Sequence, residues 1–465
     1  MYVKRLTMNG VRGFDGQRKV DLDFARPDGS YAGWTVLAGR NGSGKTTLLR
    51  AIALAWAGER LGVQLEDRLE GWLSEGADAG RIGLEIVSDP LWDAGSQEES
   101  VGELVLRWRV GPFAVGTTLF EPAVMKKLRF ARVRFEAAPD LFEEILWSGA
   151  DIPGWFVAAY GPFRRLSGGD GGARRHGYTD RMPDFSAKQN AVQTLFGEKF
   201  ALSETAGWLL RLHTDRLEGR REAAELVEMI IALLQDGLLP DGHRVSKLDS
   251  GGLWITNEET GRTAPLDRVS DGYRTVVVLV LDIIRCMFEA YPYPGERALV
   301  YENEVPTLRH PGVVLIDEVD AHLHVSWQQR IGEWLKQHFP QVQFIVTTHS
   351  PYICQAADQN GLIRLPGPSE ESAPCVVEQD LYRRVVHGTG DDAVISDLFG
   401  LDTPYSPESQ ELRRRLVALE RELVLGRATE EDKRDLRALK TRLSSSPVTR
   451  VDEISARLLG DGDAP

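Results

Sequence analysis

Apolar residues in this chain fall into patterns that foretell different elements. Unbroken apolar runs at Trp34–Ala38, Pro311–Ile316 and Val342–Thr348 have the length and continuity of strands buried on both faces of a parallel sheet. Further strands are expected at Tyr2–Met8, Val20–Phe24, Ile82–Val87, Trp155–Ala159 and Glu103–Val110, where Leu104, Leu106 and Trp108 alternate with polar neighbours. Helices are expected from Thr47 to about Ala57, over Ala187–Phe196 and Ala201–Thr214, and from about Arg274 to Glu289. Another is expected over Arg220–Leu234, with Ala224, Val227, Ile231 and Leu234 as its apolar face. Near the end, Pro366–Ser372 reads as a linker, followed by a short strand over Cys375–Glu378. Ser406 then caps a helix that has Pro407 at its first position and runs to about Leu425. Thr429 caps a second helix to Leu443, with an acid at the capping-box position. Leu412, Leu416, Leu419 and Leu423 on the first and Leu436, Leu439 and Leu443 on the second make an antiparallel hairpin, packed on the rest of the chain or docking a partner.

Strands alternating with helices give an α/β class, and 465 residues exceed one ordinary domain. Four stretches are expected: 1–60 with the first buried strand, an insertion over 61–264 (a β lobe, then helices), 265–366 with the other buried strands, and a linker with helices over 367–465. No heptad pattern runs long enough for an extended coiled coil.

Candidate chemistry begins where the first buried run ends. Gly39-Arg40-Asn41-Gly42-Ser43-Gly44-Lys45-Thr46 fits the phosphate-loop pattern G-x-x-x-x-G-K-[ST], with a strand before and a helix after. Its glycines turn backbone N–H groups onto phosphates, Lys45 reaches the β- and γ-phosphates, and the Thr46 hydroxyl can ligate Mg²⁺. Thr47 opens the helix whose positive end faces the same anion. Asp317, at the tip of Pro311–Ile316, is placed to hold Mg²⁺, and Glu318 to polarise the attacking water as general base. His349, at the end of Val342–Thr348, can hydrogen-bond a γ-phosphate. Ser270 and Gly272 in Val269–Tyr273 open a helix and make a second anion site, read as completing the site of a neighbouring molecule.

Together these residues resemble the ABC ATPase superfamily. Gly39–Thr46 stands for Walker A, Val269–Tyr273 for the signature, Val313–Glu318 for Walker B, Asp320-Ala321-His322 for the D-loop and His349 for the switch histidine. The acidic stretch from Asp317, Thr347–Pro351 and the opening Val3–Phe14 look like the soluble branch of RecF, SMC and OLD proteins, closest in plan to anti-phage ATPases such as PtuA of Septu and AriA of PARIS systems. The resemblance implies an ABC head with a mixed phosphate-loop sheet, an antiparallel β lobe, a helical insertion and the C-terminal helical hairpin. It also implies ATP and Mg²⁺ as ligands and a homodimer closed around ATP. The pattern departs at the Q-loop: Tyr160–Arg165 stands about where its glutamine belongs, and Gln189 and Gln193 come later.

Composition narrows the partners. A formal charge of −14 argues against a surface wholly given to nucleic acid, while leaving room for a local basic patch. The glycine-rich Arg164–His176 is a solvated loop, a phosphate-sensing segment or a nucleic-acid contact. Cys286, Cys354 and Cys375 lie apart with no CxxC, so neither a zinc site nor a disulfide framework is expected. The longest apolar run, Val276–Ile284, is too short for a membrane span, and no signal peptide is evident; a cytoplasmic location is expected. No second catalytic constellation is visible, which favours an effector nuclease or toxin supplied in trans. The alternatives are a RecF-like repair ATPase that binds DNA itself, a transporter subunit, and an ATP-bound scaffold.

Overall fold

The computed structural model describes residues 1–65, 69–96, 98–109, 153–162, 191–197, 203–291, 299–302, 304–394, 396–400, 403 and 405–443. Along the chain its strands are β1 (Tyr2–Asn9), β2 (Val20–Asp23), β3 (Gly33–Ala38), β4 (Ala79–Val87), β5 (Val101–Arg109), β6 (Val157–Tyr160), β7 (His243–Asp249) and β8 (Gly252–Asn257). There follow β9 (Thr263–Pro265), β10 (Leu299–Glu302), β11 (Val305–Leu308), β12 (Gly312–Ile316), β13 (Val342–Thr347), β14 (Leu362–Arg364) and β15 (Cys375–Val376). The fold is α/β.

Its centre is a six-stranded sheet in the order β15-β14-β3-β13-β12-β6, parallel throughout except for the β14–β15 pair. Val36 lies opposite Val346, Ile345 opposite Leu315, and Leu315 opposite Ala159. These strands are apolar at nearly every position because each of their faces meets its own core. Val36, Phe344, Val346, Val314 and Ile316 point into one core, with the helices Arg221–Gln235 and Asp271–Ala290. Leu37, Ile345, Val313, Leu315 and Val157 point into the other, with the Lys45–Leu65 helix and an antiparallel sheet ordered β2-β1-β4-β5. The period-two alternation of a pleated strand thus divides one apolar run between two cores.

Several elements depart from the sequence pattern. The Lys45–Leu65 helix kinks at Gly58, with φ 72°, so its first regular stretch stops at Ala57. In Arg221–Gln235 the buried face is Ala223, Val227, Met229, Ile230, Leu233 and Leu234, whereas Ala224 and Ile231 are only half-buried. This helix packs on the Ser203–Leu217 helix, β7 and β11, a wider contact than one four-residue stripe can cover. The β7-β8-β9 meander and the β10–β11 hairpin are additional elements. Pro366–Ser372, expected as a linker, is fastened instead: Arg18 binds main-chain carbonyls there, and Glu370 accepts from the Gly367 N–H at 2.9 Å. The strand after it is only β15, and the helices Gln379–His387 and Gly390–Val394 follow. Arg164–His176, Gln189 and the first part of the expected Ala187–Phe196 helix lie outside the described residues. Among those described, no helix is long and apolar enough to cross a membrane.

The chain divides into two compact units, Met1–Phe399 and Gly400–Pro465. In the second, the helices Pro407–Val424 and Glu430–Arg442 bury Leu416, Leu436 and Leu439 against Leu412, Leu419 and Leu443. Leu423, expected in that stripe, is exposed. Ser406 accepts from Ser409 N, and Thr429 forms a full capping box with Asp432.

Candidate nucleotide site

The phosphate loop is shaped from outside. Gly42 and Gly44 have φ of 76° and 92°, which only glycine adopts without strain. A Cβ on Gly44 would lie 2.4 Å from the Phe14 ring, and one on Gly39 would lie 2.6 Å from the Leu365 carbonyl. The loop is therefore pressed against the segment just after β14 and the β1–β2 turn, and the helix that follows starts at Lys45. The N–H groups of that helix's first turn have no acceptor within the helix. The Ser43 hydroxyl is buried with no hydrogen-bond partner among the described residues. Asn41 is exposed at the loop's tip, and Thr47 is buried in the helix.

Lys45 Nζ donates to the carbonyls of Gly39 at 2.8 Å and Arg40 at 3.1 Å. Burial pulls its pKa down to about 8, against the opposing pull of Asp317 and Glu318. The Thr46 hydroxyl donates to Asp317 Oδ2 at 2.8 Å. Asp317 is buried at the end of β12 and also accepts from the Thr347 hydroxyl at 2.6 Å. Glu318 sits at φ 45° in the left-handed region, held there as its N–H donates to Thr347 Oγ1 at 2.7 Å. Asp320 accepts from the Thr348 hydroxyl and from His349 N at 3.4 Å. His349 is exposed, and desolvation by its surroundings and then the Lys45 ammonium hold it below the usual histidine value.

Lys45, Thr46, Asp317, Glu318 and His349 thus converge at the C-terminal ends of β3, β12 and β13. Open parallel sheets bind their ligands at such ends. Residues 39–47 form a tight glycine-shaped loop with an orphaned hydroxyl at Ser43, and the Thr46 hydroxyl and the Asp317 carboxylate lie side by side at its edge. That donor set fits a triphosphate with Mg²⁺, an ion that keeps several waters and takes few protein ligands. Among the described residues there is no cluster of three or more His, Cys, Asp or Glu side chains suited to a metal.

Ser270 and Gly272 are elsewhere. They line a cleft of about 420 Å³ with Asp241, Tyr273, His322 and His324, and no residue of 39–46 borders it. Ser270 is the N-cap of the Asp271–Ala290 helix, which opens three residues earlier than expected, and its hydroxyl makes no capping bond. Sequence reasoning missed Thr347, whose one hydroxyl fixes both Asp317 and Glu318; its only signal was a threonine ending an apolar strand. At the Q-loop position, Tyr160 ends β6 as a buried residue. The residues after 162 lie outside the described set, and Gln193 lies in a short helical stretch.

The sheet order, the antiparallel lobe and the phosphate loop at the end of β3 define an ABC-type ATPase. A family model described as "AAA domain, putative AbiEii toxin, Type IV TA system" matches residues 159–355, and a second AAA domain model matches 5–78. Among relatives, the Septu protein PtuA of Bacillus mycoides (strain KBAB4) is 24% identical over 342 residues, 73% of this chain and 37% of the relative. The "Retron Ec83 probable ATPase" of Escherichia coli is 32% identical over 179 residues, 37% of this chain and 31% of the relative. An SMC head domain from Thermotoga maritima aligns over 81% of this chain with a TM-score of 0.41 and 16% identity. The chain is an ABC-type AAA ATPase related to the Septu PtuA and retron ATPases, and it spans about a third of the length of those relatives.

Proposed function

We propose that this chain binds ATP and Mg²⁺ on Gly39–Thr47, closes around them as a homodimer, and serves as the sensor and switch subunit of a bacterial anti-phage defence complex, controlling a separate effector nuclease. The observation that carries this is the separation of two half-sites. Lys45, Thr46, Asp317, Glu318 and His349 meet at one place, while Ser270 and Gly272 line a cleft away from the loop. Two copies facing each other bring one half-site to the other. The kinship with Septu PtuA and retron ATPases supports the defence role. In domain terms we read 1–60 and 265–366 as the two halves of the ATPase head, 61–264 as its insertion, and 367–465 as a helical region. A cytoplasmic setting goes with this reading.

In the mechanism, the Lys45 ammonium neutralises the β- and γ-phosphates, and the Thr46 hydroxyl and Asp317 carboxylate hold Mg²⁺. When bound, Mg²⁺ supplies neutralisation of charge on the phosphate oxygens. Glu318 orients the attacking water and accepts its proton. His349 hydrogen-bonds the γ-phosphoryl oxygens, and Ser270 and Gly272 of the second copy close the far side. Loss of the γ-phosphate releases that closure, so the dimer has two states.

The test is a pull-down of the tagged Glu318→Gln chain from its native host, with and without ATP. A stoichiometric nuclease or toxin, held more tightly with ATP, is the expected result. A lone ATP-dependent dimer carrying only DNA would instead favour a RecF-like repair ATPase.

A further inference from the structure

Three glycines of the phosphate loop are each met by a group from outside it. Gly44 faces the Phe14 ring, Gly39 faces the Leu365 carbonyl, and a Cβ on Gly42 would lie 3.1 Å from Pro368 Cγ. Phe14 belongs to the turn between β1 and β2, while Leu365 and Pro368 belong to the segment after β14. These two segments are some 350 residues apart in sequence, and one side chain joins them. Arg18 Nε donates to Gly13 O at 3.2 Å, its Nη1 to Glu370 O at 2.6 Å and to Gly367 O, and its Nη2 to Pro366 O at 3.4 Å. The guanidinium also lies over the Phe14 ring, 5.9 Å from its centre.

Four main-chain carbonyls and no carboxylate take up this cation among the described residues. A planar fork spreads five donors over three nitrogens and so reaches acceptors set further apart on two segments than the single nitrogen of an ammonium can. The far segment has a second fastening, in which Glu370 accepts from Gly367 N and pairs with Arg364. The Gly367 N–H first, and then the Arg364 guanidinium, hold the Glu370 carboxyl below its usual range. Arg18 thus bonds to both of the segments whose groups press on the glycines.

Resting on the nucleotide reading of Gly39–Thr47, we propose that Arg18 is a positioning residue for ATP: it clamps the Phe14 and Pro366–Glu370 walls together and so sets the shape of the phosphate loop. Backbone donors misplaced by a fraction of an ångström lose their alignment with the phosphates, and displacements of that order are costly in preorganised sites. The effect is on the loop's geometry before any ligand arrives, so it is readable in the nucleotide-free chain.

The experiment compares the unsubstituted chain with Arg18→Ala, Arg18→Lys and Glu370→Gln by amide hydrogen exchange without nucleotide, and by titration with a fluorescent ATP analogue and Mg²⁺. In Arg18→Ala, exchange is expected to quicken at 39–44 and 366–370 with β12 and β13 unchanged, and Kd to rise about tenfold. Turnover at saturating ATP is expected to stay within about twofold of the unsubstituted chain, because the strand-tip acids are untouched. Arg18→Lys should behave like Arg18→Ala, since the fork and not the charge is required. Glu370→Gln loosens the same wall from its other side and should raise Kd about threefold even if Arg18→Ala fails to fold. Faster exchange with an unchanged Kd would make Arg18 a structural staple only and overturn the proposal. Unchanged exchange, or full rescue by lysine, would overturn it equally. If the unsubstituted chain binds no ATP, the nucleotide reading of the loop falls and this inference with it; a failure confined to the variants touches the inference alone.

Discussion

His310 shows what a single buried side chain can do to this fold. It is fully buried among Trp92, Phe288 and Tyr291, with ring centres 4.6, 5.8 and 5.0 Å away, and neither ring nitrogen has a hydrogen-bond partner among the described residues. Burial alone pushes its pKa from 6.5 to about 4. The folded chain therefore keeps this ring neutral while the unfolded chain protonates it. Its contribution is fully present above pH 6.5 and is lost as pH falls toward 4, reaching about 3 kcal/mol in all. Urea unfolding at pH 7 and pH 5 should show a drop that His310→Phe reduces by about 2 kcal/mol; equal drops in both chains would refute the assignment. At the candidate site, Lys45→Ala should abolish nucleotide binding as read by calorimetry. The meeting of Lys45, Thr46, Asp317, Glu318 and His349 was legible because each follows a buried strand of one parallel sheet, at the end where such strands open into loops. Thr347 and Arg18 were not, since a strand threonine and a surface-turn arginine have ordinary explanations until their partners from distant segments are in place.

At the scale of elements, the Asp271–Ala290 helix carries a charge cluster that its apolar sequence hides. Asp282 and Arg285 are 2% and 5% exposed. Asp282 accepts from Arg285 Nη2 at 2.8 Å and from Thr205 Oγ1 at 2.6 Å on the Ser203–Leu217 helix, and Arg285 also holds Glu289. Removing one partner of a buried pair strands the other, so Asp282→Ala should cost about 3 kcal/mol in denaturant unfolding. Asp282→Asn, which keeps an acceptor, should cost about half of that. A cost within experimental error for Asp282→Ala would mean Arg285 is satisfied by Glu289 alone. Helices and buried strands were legible here because their apolar periods are long. The β7-β8-β9 meander was not, although Val245, Leu248, Leu253 and Ile255 are its buried residues. A register shift between Val245 and Lys247 breaks the strict alternation on β7. The face of Arg221–Gln235 was misjudged because it packs on three elements, and spacing alone does not say how wide a buried stripe becomes.

For the whole molecule the decisive question is whether one copy completes the site of another. Ser270 and Gly272 line a cleft that no phosphate-loop residue borders, and a chain acting alone leaves that cleft without a use in the reaction. If the site is composite, each copy gives a loop to one site and a signature to the other, as a two-fold symmetric interface requires. Two defective chains should then help each other. Lys45→Ala has no working loop but an intact signature; Ser270→Arg has a working loop but fills the cleft that should receive the γ-phosphate. Alone, each is expected to show no measurable ATPase activity. Neither variant closes on itself, so on mixing in equal amounts the dimers that close pair one of each and carry a single complete site, and activity should return to at most about half of the unsubstituted level at saturating concentrations. Gel filtration with ATP should show Ser270→Arg failing to dimerise alone. Activity retained by Ser270→Arg, or none regained on mixing, would mean that the Lys45 loop works within one copy, and the two-state switch would then need another moving part.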